Sequence, residues 1–209
     1  MQEAKSVNEF LDSIHESYSD NRVIIMLFGR YGIPMVDDLL NRNFDYLDLN
    51  SGYTIDIHMP GYGKYKYEEE HLNEGDVLIE LDNNRLGWFF NYNKFIEFKK
   101  TMKTTCDWKY RDHMQMLIFN YRFGKIDFSN FIDIDFEKAL SKGCFTTERE
   151  IIEAIINQVE NGVTDIVSLS DGLAKEYSEE IVIDFIFSKI LFGIGDAGKQ
   201  IAPYSTKRR

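Results

Sequence analysis

The stretch Phe44-Asp-Tyr-Leu-Asp-Leu-Asn-Ser-Gly-Tyr-Thr-Ile-Asp-Ile-His-Met-Pro60 alternates apolar and polar side chains on both sides of a turn-forming tripeptide. Leu47, Leu49, Ile55, Ile57 and Met59 share one parity; Tyr46, Asp48, Thr54, Asp56 and His58 share the other, as in a half-buried strand pair. Asn50-Ser51-Gly52 suits a loop that closes on a left-handed glycine. The stretch is therefore expected to form a β-hairpin, with Leu47 opposite Ile55 and Tyr46 opposite Asp56. Asp48 and Asp56 would then be diagonal neighbours, close enough to feel each other's charge.

On either side, helical and strand periods interleave. Ser6-x-x-Glu9 is a capping box that opens a helix with Val7, Phe10, Leu11 and Ile14 on its apolar face. Val23 to Phe28 is a continuous apolar run ended by Gly29, the pattern of a central buried strand. Pro34 starts a helix whose core face is Met35, Val36, Leu39 and Leu40. Further along, Val77–Leu81, Met114–Tyr121, Phe131–Phe136 and Asp165–Leu169 read as strands. Asn93–Thr105, the segment opened by Thr147-x-x-Glu150, and the apolar run from Ser178 to Phe192 read as helices. The interleaving, with one antiparallel hairpin, predicts an α/β (or α+β) fold: a single domain over 1–192 whose mixed β-sheet is covered by helices. Residues 193–209, glycine-rich and basic at the end, read as a tail.

With 209 residues and 44% hydrophobic content, the chain can bury a full core without cross-links. Only Cys106 and Cys144 are present, and the first apolar segment carries Glu9, Asp12 and Glu16, which a secretory leader would not tolerate. The longest apolar run, Ile181–Phe192, is too short to cross a bilayer. A cytoplasmic location is expected. A net charge of −11 weighs against general nucleic-acid binding. Between Asn91 and Lys125, however, eight Lys or Arg face only Glu97, Asp107 and Asp112, a net +5. Such a basic segment either docks against the chain's own acids, which is the simpler reading, or holds an anionic partner.

Several groups are candidates for chemistry. Gly29, Arg30 and Gly32 lie between a strand and a helix, where α/β folds hold phosphate; a plain turn is the simpler alternative. Asp48, Asp56 and His58, helped by Asp133 and Asp135 if their strands are neighbours, could hold Mg or Mn for phosphodiester hydrolysis. A solvated polar sheet face is the simpler reading there too. Gly193-Ile-Gly-Asp-Ala-Gly198-Lys199 has the glycine spacing of a nucleotide loop but lacks the required preceding strand and following helix. Cys144 precedes a helix amino terminus but has no hydrolase signature around it. Trp88, Tyr92, Trp108 and Tyr110 bracket the basic segment and are read as core first and as a protein interface second. The leading expectation is a cytosolic, prokaryotic, protein-binding subunit without cofactor or catalysis. It would be an accessory or sensor component, or an acidic inhibitor or immunity protein, working within a hetero- or homo-oligomer. The alternative is a nucleotide- or phosphodiester-binding domain, with Asp48, Asp56 and His58 as a metal-dependent hydrolytic centre.

Overall fold

A computed structural model describes residues 2–4, 6–17, 21–50, 55–64, 75–79, 87–143, 145–177 and 186–189. Its centre is a six-stranded mixed sheet in the order β1-β3-β2-β7-β8-β9. The strands are β1 (Gln2–Ala4), β2 (Arg22–Phe28), β3 (Ile57–Pro60), β7 (Gln115–Arg122), β8 (Lys125–Asp135) and β9 (Ile186–Lys189). β1, β3 and β2 run parallel, whereas β7 is antiparallel to both β2 and β8, so β8 points the same way as β2. A smaller antiparallel sheet, β4-β6-β5, is formed by β4 (Tyr62–Lys64), β5 (Asp76–Ile79) and β6 (Trp88–Asn91).

Two helical layers cover the main sheet. α1 (Val7–Ser17) and α3 (Tyr92–Cys106) lie on one face, where Phe10 packs on His58 and Phe98, and Phe28 packs on Phe95. α2 (Pro34–Asn50), α4 (Phe136–Ser141), α5 (Glu148–Glu160) and α6 (Ile166–Tyr177) pack together on the other. The chain passes from β1 to β2 and then back to β3, so crossovers of one hand must place α1 and α2 on opposite faces. Register explains why both faces are apolar at the centre. Ile57, Ile25, Ile118 and Ile132 form a row across four strands on the α2/α5/α6 side. On the other side the equivalent row reads His58, Met26, Leu117 and Asp133, apolar in the middle and polar at its ends.

The mixed α/β architecture agrees with the sequence reading, but several elements do not. Residues 44–50, expected to be the first strand of a hairpin, are the last turns of α2, and β3 pairs in parallel with β1 and β2. Among the described residues, a tight two-residue hairpin joins β7 and β8 instead. Residues 165–169, expected to be a strand, open α6, whose buried residues Ile166, Leu169 and Leu173 follow the helical period. The expected helix over 178–192 contains strand β9 at 186–189; its remaining residues lie outside the described ones, as do the 193–209 tail, the glycine motif within it and Cys144. Among the described residues, no helix is long and apolar enough to cross a membrane.

Candidate functional site

The densest grouping of charged side chains sits where β2 and β8 end. Asp133 and Asp135 are two residues apart on β8, so they project from the same face of the sheet. Asp133 is buried and accepts three sets of donors. Trp108 Nε1 donates to its Oδ2 at 3.1 Å, Arg111 Nη2 to the same oxygen at 2.9 Å, and Gln115 Nε2 to Oδ1 at 3.0 Å. Asp135 faces Arg111 Nε at 3.3 Å and His113 Nε2 at 3.0 Å, while its Oδ1 caps α4 by accepting from the Lys138 amide at 3.0 Å. His113 Nδ1 lies 3.4 Å from Glu137 on the first turn of that helix. Burial pushes the Asp133 carboxyl up from its ordinary range; the Arg111 charge, then the hydrogen bonds from Gln115, Trp108 and Arg111, oppose it.

A short loop, residues 107–113, supplies most of these donors. Asp107 and Asp112 both adopt left-handed backbone, with φ of 57° and 62°, and bracket the inward-turning segment. Aspartate tolerates that conformation better than most residues. Between them, Trp108 packs on Phe28 at 4.6 Å and Tyr110 meets Phe95 edge-on at 5.2 Å. Lys99 Nζ lies 4.6 Å from the centre of the Tyr110 ring and 3.8 Å from Asp112, tying the loop to α3. The Tyr110 hydroxyl is pushed up to about 12, chiefly by burial.

The expected residues separate into distinct places. Two strands lie between β3 and β8, so His58 and Asp133, though in one row on one face, stand roughly 14 Å apart at ordinary strand spacing. One ion cannot reach both sets, since carboxylate and imidazole ligands sit about 2–2.6 Å from a metal. The expected gathering of Asp56 and His58 with Asp133 and Asp135 is therefore corrected. Asp56 precedes β3, 3.9 Å from Arg22 at the opposite edge of the sheet, and the Asp48 side chain lies outside the described residues. The cation that the buried pair on β8 requires is the guanidinium of Arg111.

Gly29, Arg30 and Gly32 do end β2 and precede α2, as anticipated. A Cβ on Gly29 would stand 2.6 Å from Val36 Cγ2, so this glycine lets α2 approach the strand. The Gly32 amide donates to Asp37 at 2.9 Å. An acidic side chain thus already fills that donor and disfavours a second anion there. Trp88, Trp108 and Tyr110 are buried, in keeping with the first reading of them as core and against the second, as an interface; of the four, Tyr92, 49% exposed, faces outward.

No family model matches the chain, and no match was found among curated proteins or solved structures.

Sequence reasoning placed Arg111 in the basic segment expected to dock on the chain's own acids, but did not join it, His113 or Gln115 to Asp133 and Asp135. The available signal was the alternation Trp108-Lys109-Tyr110-Arg111 shortly before a strand that opens on the polar Gln115. The basic segment itself divides in two. Lys94 pairs with Glu97, Lys99 with Asp112, Arg111 with Asp133 and Asp135, and Arg122 with Asp165. Lys100, Lys103, Lys109 and Lys125 are exposed and make no ion pair among the described residues.

Proposed function

We propose that this chain is a partner-binding protein that works by contact rather than by bond-breaking, and that the outer face of α3 meets an acidic segment of another protein. The carrying observation is the set of unpaired lysines. Lys100 and Lys103 project from α3, and Lys109 follows in the loop, on a chain whose total charge is −11. Half-exposed Tyr92, the first residue of α3, lies about two turns before Lys100 and adds an aromatic surface. Repulsion from the rest of the acidic body grows with the length of a polyanion, which favours a short acidic protein segment over nucleic acid. The grouped acids of β8 support the same reading, because the charge of Arg111 faces both of them within the fold. The finer role belongs to this proposal: a cytosolic accessory or sensing subunit, or an inhibitor of the immunity type.

The test compares wild type with the triple variant Lys100→Glu/Lys103→Glu/Lys109→Glu. Fluorescence anisotropy is read with a labelled polyglutamate peptide and with a labelled single-stranded oligonucleotide, at low and high salt. Wild type is expected to bind the peptide in a salt-sensitive manner, with affinity lost by about tenfold or more in the variant. Tighter binding to the oligonucleotide, or equal peptide affinity for both proteins, overturns the reading.

A further inference from the structure

At the edge of the sheet away from the acid cluster, β7 and β8 are joined by a two-residue turn, Phe123-Gly124, between paired Arg122 and Lys125. Both turn residues have positive φ, 52° and 76°, the geometry that a tight hairpin demands. Asparagine, aspartate or glycine normally takes the first position, because a bulky side chain is strained there. Here the residue is a phenylalanine that is 94% exposed. Its ring adds nothing to the fold, and its backbone opposes the fold. A strained residue with an exposed apolar side chain at a projecting tip indicates use elsewhere.

A receptor for this tip lies beside it on the same molecule. Between α5 and α6 is an open groove of about 540 Å³ lined by Gln158, Val163, Ser168, Asp171, Gly172 and Lys175, with Glu176 at its edge. Gly172 forms part of it because a Cβ there would meet Gln158 Oε1 at 2.1 Å, so the two helices run close. The tip and the groove flank a single landmark, the start of α6. Arg122 Nη2 is 3.9 Å from Asp165 Oδ2, the Ile166 amide donates to Asn120 Oδ1 at 2.9 Å, and Val163 and Ser168 bracket Asp165 in sequence. Val167, 39% exposed, is on the first turn of the same helix. The charges favour contact: Arg122 and Lys125 flank the tip, Asp171 and Glu176 outnumber Lys175 at the groove, and Lys125 and Asp171 have no ion pair among the described residues.

We infer that two copies of this chain associate about a two-fold axis near Val167, each inserting Phe123 into the α5–α6 groove of the other, with Lys125 meeting Asp171. A knob and a hole on one patch make that patch self-complementary, which is the condition for a closed dimer. This surface is on the helical layer opposite α3, so it does not compete with the contact proposed above.

Sedimentation velocity and light scattering on the full chain, from micromolar to millimolar concentration, test the inference. Wild type is expected to shift from the 24.5 kDa protomer to twice that mass. Phe123→Asn, which suits the turn and is expected to fold at least as stably, should raise the dissociation constant by about tenfold or more. Lys125→Glu and Asp171→Lys should each remain protomeric, yet an equimolar mixture should dimerise, because the mixed pair brings opposite charges together at both contacts. A wild type that stays protomeric throughout overturns the inference, as does a dimer indifferent to Phe123→Asn. Failure of the mixture to recover association overturns the two-fold pairing, and so does growth to species larger than a dimer.

Discussion

A carboxylate removed from water holds its charge only where donors replace the water, and Asp133 has Trp108, Arg111 and Gln115 in that role. Asp133→Ala would leave the Trp108 and Gln115 donors buried without an acceptor, although Arg111 can turn to solvent. The expected cost is about 3 kcal/mol in urea denaturation. Because burial raises this carboxyl, the folded state keeps its proton to higher pH than the unfolded chain does. Its contribution therefore declines as pH rises through the ordinary carboxylate value towards the folded one. The advantage of wild type over Asp133→Asn is expected to shrink over that window; an advantage that grows would contradict the sign. At this scale the sequence showed the two acids of β8 and their shared face. It did not show their neighbours, because Arg111 and His113 reach Asp133 and Asp135 only after a loop with two left-handed residues folds back.

Among the elements, α6 shows how one side chain determines an identity. Asp165 accepts from the Val167 and Ser168 amides at 3.0 and 3.1 Å and from Ser168 Oγ at 2.9 Å, closing the first turn. Burial pulls its carboxyl up, but these hydrogen bonds and Arg122 outweigh it and leave it below the ordinary range. Asp165→Ala is expected to cost about 1 kcal/mol at neutral pH. Since the folded value is depressed, that stabilisation is present above the ordinary carboxylate value and is lost as pH falls through the folded one. The gap between wild-type and variant denaturation midpoints should therefore close in acid. The same residues illustrate why 165–169 read as a strand: five residues fit either period, and only extension to Leu173 reveals the helix. Residues 44–50 misled for the same reason. Leu47 alternates with its immediate neighbours, yet it also continues the buried series Val36, Leu39 and Leu40 of α2. The run containing Ile186–Lys189 is apolar but for Asp184, Ser188 and Lys189, too few polar positions to choose a period by.

At the largest scale, the main sheet is buried on both faces at its centre. Hydrogen exchange is expected to be slowest in β2 and β7, which lie inside the sheet and are paired over seven consecutive positions. Amides of the small β4-β6-β5 sheet that outlasted them would show that the core lies elsewhere. Composition and interleaved periods sufficed for the architecture at this scale, because a long apolar strand between amphipathic helices has few other solutions. Strand order was hidden, and with it the separation of His58 from Asp133.

One irregularity in β8 bears on how such a molecule can change. Phe119 pairs with Phe131 and Asn120 with Asp127, so Phe128, Ser129 and Asn130 have no counterpart on β7. Asp127 gathers them locally, accepting from the Ser129 amide at 3.0 Å and from Asn130 Nδ2 at 2.6 Å. In an unbroken ladder, one inserted residue near the tip would turn every later side chain to the wrong face. Here the slack is taken up before Phe131. A change of length between Lys125 and Asn130 is absorbed there, and Asp133 and Asp135 stay aimed at Arg111.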